Sequence, residues 1–305
     1  MVLDENYTLS NGVEIPKLGL GTWFISNKDA AGVVKEAVKI GYRHIDTAQA
    51  YRNESGVGEG IRNCGVKREE IFVTTKLDAG IKSYQEAVSS IDESLKKMKL
   101  DYIDLMIIHS PQPWSKFGGD DRYLEGNREA WRALEDAYKN GKLRAIGLSN
   151  FNKTDIDNII ENCSVKPMVN QILAHISNTP EELIEYTQNK DILVEAYSPI
   201  GHGELFKNEK IVEMAEKYGV SVPQLCIRYD LQLGLLPLPK SENPEHIKNN
   251  SEVDFIISKE DMEILKNLKE IEDYGAASIM PVYGGGFNLK SIISYIFQRI
   301  ASIFR

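Results

Sequence analysis

Eight short runs of β-branched and other apolar residues, alternating with longer amphipathic stretches, predict an α/β chain closed into a (β/α)8 barrel. The runs cover residues 17–20, 43–46, 71–76, 102–109, 144–149, 168–171, 192–197 and 235–239. Near-continuous apolar character is what parallel strands buried on both faces require. The length of 305 residues would also accommodate two average domains, but α/β barrels of this size fold as one unit.

The elements follow in chain order. Residues 7–15 read as a β-hairpin, with Asn11-Gly12 as a type I′ turn, capping the bottom of the barrel. The stretch 83–98 places Ala87, Ile91, Leu95 and Met98 on one helical face. Residues 127–138 behave likewise and stop at Asn140-Gly141, a C-cap signal. After a Gly284-Gly285-Gly286 hinge, residues 287–305 form a cationic amphipathic helix or tail. Leu289, Ile292, Ile293, Ile296 and Ile300 lie on one face, and Ser291, Ser294 and Arg305 on the other. The expected organisation is therefore a barrel over residues 1–286 and a separate tail over 287–305. The tail is expected to pack on the barrel or on a second copy, to lie on an anionic membrane surface, or to stay disordered until bound.

Charge narrows the partners. The net charge is −9, and the tail's Lys290, Arg299 and Arg305 leave −12 on residues 1–286. Such a surface argues against nucleic acid, whose phosphates need a basic face. Cys64, Cys163 and Cys226 are odd in number and far apart, so neither a disulfide framework nor a metal site is expected, and a cytoplasmic setting fits. The acidic start lacks the apolar core of a signal peptide.

A barrel places its chemistry where strands end. The second run ends in Asp46, with Tyr51 in the following loop; the third ends in Lys76 and the fourth in His109. A free tyrosine, with pKa about 10, is a poor acid near neutrality. A neighbouring lysine is expected to lower that value, with a carboxylate holding the ammonium in place and His109 binding a carbonyl oxygen. Each residue alone has a structural explanation, as a cap, a surface lysine or packing. Their joint occurrence at consecutive strand ends does not.

These residues, with their flanking motifs, resemble the aldo-keto reductase family over most of residues 5–285. Gly19-Leu20-Gly21-Thr22-Trp23 is similar to the family's first strand. Gly41-Tyr42-Arg43-His44-Ile45-Asp46-Thr47-Ala48 with Tyr51, then Lys76 and His109, complete its catalytic tetrad. The resemblance implies NAD(P)H-dependent reduction of aldehydes and ketones to alcohols, with Tyr51 as general acid. It implies a cofactor site of Ser149, Asn150, Gln171, Tyr197, Ser198, Lys240, Ser241, His246 and Asn250, with Tyr197 stacking on the nicotinamide. The implied substrate pocket is Trp23, Ser110 and Trp114, and no metal is implied.

Three positions depart from the family pattern. His246 stands where an arginine commonly meets the 2′-phosphate, so the preference for NADP(H) that the resemblance implies is expected to be weakened, with NAD(H) a possible coenzyme. Ser110 stands where many members have tryptophan, leaving Trp23, Trp114 or Phe117 to supply the aromatic wall. Leu173 replaces an acidic residue, and nothing explains that change. Among rival motifs, Gly56-Val57-Gly58-Glu59-Gly60 has Ile61 where a dinucleotide loop needs its third glycine, and it follows no strand. A nicotinamide-binding regulatory barrel without turnover is the alternative, and the intact tetrad speaks against it.

Overall fold

The computed structural model describes residues 1–285, so the amphipathic segment expected at 287–305 lies outside the described residues. Ten strands and ten α-helices alternate among them. A hairpin of β1 (Asn6–Thr8) and β2 (Glu14–Pro16) precedes β3 (Leu20–Gly21), α1 (Asn27–Ile40), β4 (His44–Asp46), α2 (Glu54–Arg62), β5 (Phe72–Leu77), α3 (Tyr84–Met98) and β6 (Ile103–Ile108). There follow α4 (Leu124–Lys139), β7 (Leu143–Ser149), α5 (Lys153–Ile160), β8 (Val169–Leu173), α6 (Glu181–Gln188) and β9 (Leu193–Tyr197). The chain continues through α7 (Glu209–Tyr218), α8 (Val222–Gln232), β10 (Leu236–Leu238), α9 (Pro244–Asn249) and α10 (Lys259–Lys266).

Strands β3 to β10 pair in parallel in chain order. The ring closes where the Gly19 and Gly21 amides donate to the Pro237 and Pro239 carbonyls at 3.2 and 3.0 Å. The expected (β/α)8 barrel is therefore the observed one, although its first strand is only two residues long. The hairpin sits at the N-terminal ends of the strands: the Tyr7 hydroxyl donates to the Leu235 carbonyl, and Asn11 Nδ2 to the Arg144 carbonyl.

Its turn differs from the type I′ expectation. That turn needs positive φ at both central residues, and only Gly12 has it, at 82°. Leu9 still pairs with Val13, leaving Ser10, Asn11 and Gly12 as a three-residue loop, in which Asn11 Oδ1 accepts from the Val13 amide. The Gly56–Gly60 motif also gains a mechanical explanation. It lies inside α2, and a Cβ on Gly56 or Gly58 would stand 2.1 or 2.3 Å from the Asn27 or Met98 carbonyl oxygen. These glycines let α2 press against its neighbours.

Alternation along each strand decides what enters the lumen. His44 and Asp46 on β4, Thr74 and Lys76 on β5, Gln171 on β8 and Glu195 on β9 are all buried and joined through contacts inside the barrel. One residue out of phase, Thr75 turns outward and donates to Glu54 of α2.

One buried group works against stability. Asp230 of α8 is fully buried, and neither carboxyl oxygen has a hydrogen-bond partner among the described residues. Burial pushes its pKa well above the carboxylate range. A folded-state value raised above the unfolded one favours the fold at low pH, and that contribution is lost as pH rises through the folded pKa. Asp230→Leu is therefore expected to stabilise the protein by about 1–3 kcal/mol at neutral to alkaline pH and by less in acid. Urea titrations at pH 5 and pH 8 check this, and a gain independent of pH would contradict the account. Among the described residues no helix is long and apolar enough to cross a membrane.

Candidate active site

At the C-terminal ends of the strands one cavity of about 740 Å³ runs from Trp114 and His109, past Ser149, Asn150 and Gln171, to Lys240, Ser241 and His246. The turn bearing Tyr51 spans Gln49–Tyr51 and is fixed from below. Gln49 donates to the Ser90 carbonyl and the Ser94 hydroxyl, and accepts from the Asp78 amide and the Ser90 hydroxyl. Asn53 ties the next residues to the Thr22 and Ile25 carbonyls. His109 extends β6 by one bond, its amide donating to the Leu77 carbonyl.

Lys76 is fully buried behind Tyr51, its ammonium 4.9 Å from the centre of that ring. It donates to Asp46 Oδ1 at 2.5 Å and to the Thr47 carbonyl at 2.9 Å. The Tyr51 and His109 rings meet edge to face at 5.7 Å, and Trp114 meets His109 in the same way at 5.1 Å. The tetrad expected from the strand ends is thus one physical cluster.

Its electrostatics correct one expectation. Burial, and then the Asp46 carboxylate, outweigh the nearby Lys76 ammonium and hold the phenol well above its ordinary value. The lysine's charge is engaged first by Asp46, whose carboxylate offsets much of its pull on the phenol. Tyr51 is therefore firmly protonated, the form a proton donor must have. Burial and the Lys76 charge push His109 well below the usual histidine range, so it is a neutral imidazole.

The amide side chains beside the tetrad have fixed orientations. Asn150, at φ 62°, donates through Nδ2 to the His109 carbonyl and the Ser149 hydroxyl, and accepts the Tyr197 hydroxyl on Oδ1 at 2.7 Å. Gln171 donates through Nε2 to Asp46 Oδ2 at 3.0 Å and to Glu195 Oε2 at 2.7 Å. Both hydrogens of each amide are committed, so Gln171 Oε1 remains as an acceptor and the Ser149 hydroxyl hydrogen as a donor.

Other expected residues are placed as follows. Trp23, Ser198, Ser241, His246 and Asn250 line the cavity together with those above. Lys240 lines it too, but its ammonium is held by Glu242 at 2.6 Å, so an anion would have to compete for it. Ser110 does not line the cavity: it is fully buried, with its hydroxyl accepting from the Gln112 amide. The aromatic wall near His109 is supplied by Trp114, with Phe117 behind it at 5.7 Å.

A cover lies over the site, built in part from residues 274–283, which the sequence marks as a variable substrate loop. Tyr283 donates to or accepts from Ser198 and His202 at 2.8 Å, and its ring lies 6.4 Å from Trp23. Met280, Val282 and Phe206 line the same side. No strand periodicity announces Phe206 or His202, whereas residues 274–283 stand where such barrels carry a variable substrate loop. His44 and Glu195, below the tetrad, were also missed, though each lies two residues from a recognised site residue on the same strand face.

A sequence model described as the aldo/keto reductase family matches residues 17–270. The chain belongs to that family. This reductase is 42% identical over 275 residues to glyoxal reductase of Bacillus subtilis (strain 168), covering 90% of this chain and 96% of that one. It is similar to the crystal structure of an aldo/keto reductase from Brucella melitensis, with TM-score 0.80 and 38% identity, over 87% of this chain and 97% of the other. A Bombyx mori aldo-keto reductase solved in complex with NADP superposes with TM-score 0.77 at 35% identity, over 92% of this chain and 98% of the other. Among the described residues no cluster of His, Cys, Asp or Glu suits a metal ion.

Proposed function

We propose that this reductase converts small aldehydes and α-dicarbonyls to alcohols, using NADPH in preference to NADH. The observation that carries the reading is the convergence of a protonated Tyr51 and a neutral His109 on one end of a cavity whose other groups suit a nicotinamide dinucleotide. The name of the Bacillus subtilis relative, glyoxal reductase, points to the α-dicarbonyl class, and the NADP bound to the silkworm neighbour points to the phosphorylated coenzyme.

The residues fit the coenzyme. A carboxamide presents one acceptor oxygen and one NH2 donor; the Ser149 hydroxyl hydrogen and Gln171 Oε1 are the complementary groups left over. Tyr197, fixed by Asn150, offers a ring face beside them. Lys240, Ser241, His246 and Asn250 lie at the far end, for the adenosine phosphates. When bound, reduced nicotinamide supplies the hydride equivalent to the carbonyl carbon. His109 donates a hydrogen bond from its neutral ring to the carbonyl oxygen and fixes its direction. Tyr51 delivers its proton to that oxygen, and the Lys76 ammonium, 4.9 Å from the ring, steadies the phenolate left behind. Trp23, Tyr51 and Trp114 exclude water from the reacting carbonyl.

Assays of methylglyoxal, glyoxal and simple aldehydes with NADPH and NADH side by side test the reading, with one coenzyme consumed per alcohol formed. No turnover with any of them would refute it. The exposed His246 offers a phosphate neither the fixed charge nor the two parallel donors of a guanidinium. His246→Arg is therefore expected to sharpen the NADPH-over-NADH ratio of kcat/KM by about ten- to a hundredfold, the range of a charge-assisted hydrogen bond. An unchanged ratio would place the 2′-phosphate elsewhere.

A further inference from the structure

We propose that Glu195 is a positioning residue of this reductase, holding Gln171 with its amide carbonyl toward the nicotinamide pocket and Asp46 in register with Lys76. The inference rests on the coenzyme reading above and deepens it.

Strand β9 sets Glu195 two residues before Tyr197 on the same face, where it is fully buried. Its Oε2 and Asp46 Oδ2 share the two hydrogens of one nitrogen, Gln171 Nε2, at 2.7 and 3.0 Å. A flipped Gln171 amide would aim its oxygen at the Asp46 carboxylate and turn Nε2 away from both acceptors, so the pair favours one orientation of the side chain. With Glu195 absent, one amide hydrogen loses its partner in a dry site and Gln171 is free to rotate. The carbonyl it offers the coenzyme is then no longer fixed.

The surroundings of Glu195 define when this arrangement holds. From β4, Asp46 and His44 face it; from β5, Lys76; from β8, Gln171. None is a counter-ion for it. His44 Nε2 stands 4.0 Å from Glu195 Oε1 but is bonded to Thr74, and burial keeps its pKa down at about 3. Lys76 is engaged by Asp46 and Thr47. Burial, and then the Asp46 charge, raise Glu195 to about 8, so it is a neutral carboxyl at neutral pH. Its ionisation places a second negative charge beside Asp46 and opposes formation of the Tyr51 phenolate. Activity is expected to fall as pH rises through that value.

The experiment compares wild type, Glu195→Leu and Glu195→Gln. NADPH affinity is read from fluorescence quenching at pH 6.5, and kcat/KM is followed from pH 6 to 9.5. Glu195→Leu is expected to weaken NADPH binding about tenfold, the effect of one buried hydrogen bond. Glu195→Gln, still an acceptor through its amide oxygen, recovers most of that affinity, and it lacks the alkaline decline near pH 8 seen in wild type. Wild-type affinity in Glu195→Leu, or the same alkaline decline in Glu195→Gln, would overturn the proposal while leaving the coenzyme reading intact. Failure of wild type to bind NADPH would overturn both.

Discussion

Tyr51→Phe is expected to lower kcat for carbonyl reduction by about 10²- to 10⁴-fold, the usual contribution of a placed general acid. NADPH affinity and melting temperature should stay near those of wild type. The ring would keep its contacts with His109 and the Lys76 ammonium, while the lost hydroxyl makes no hydrogen bond to the protein among the described residues. Only the proton donor disappears. Stopped-flow reduction with saturating NADPH, paired with coenzyme titration, separates the chemical step from binding. Rates equal to wild type would mean that the proton comes from solvent. Because burial and Asp46 hold Tyr51 well above its ordinary value, the wild-type donor stays charged with its proton across neutral pH. A decline near pH 8 is thus assigned to Glu195 rather than to Tyr51.

How much of this was legible beforehand follows from range. Strand order needed only local periodicity, and the rim rule then brought Asp46, Lys76 and His109 together although they lie far apart in the chain. The sign of the Tyr51 shift was not legible, because it depends on whether Lys76 faces the phenol alone or is first neutralised by Asp46. Adjacency along strands cannot decide that; the 2.5 Å contact does. The Ser110 error has a related origin. A strand-end residue one place after His109 belongs to the opposite face of the pleat, so its hydroxyl turns into the loop. His202 escaped, and the segment of Tyr283 was legible only as a variable loop, because both are brought over the cavity by loops whose paths no periodicity encodes. The same pleat that misplaced Ser110 would have found Glu195 and His44, had every second residue of each strand been followed inward.

Lys76→Met is the other large perturbation, and it tests stability and chemistry at once. Removing the ammonium leaves Asp46 with the Gln171 amide alone in a buried site, and a stranded buried charge typically costs about 3–5 kcal/mol. Activity should fall as well, since the phenolate of Tyr51 loses the cation beneath its ring. The two effects separate in the double variant Asp46→Asn/Lys76→Met. Asparagine brings no charge to desolvate and can still accept from Gln171, so urea stability should recover most of what the single variant lost. Turnover should not recover, because the cation is still missing. Recovery of both would reduce the Lys76–Asp46 pair to a structural device. Recovery of neither would mean that Lys76 matters chiefly through its bond to the Thr47 carbonyl, at the start of the segment that carries Tyr51. The lysine therefore distinguishes, in one series, an ion pair that holds the barrel's rim together from one that supports proton transfer, and the geometry assigns it both tasks.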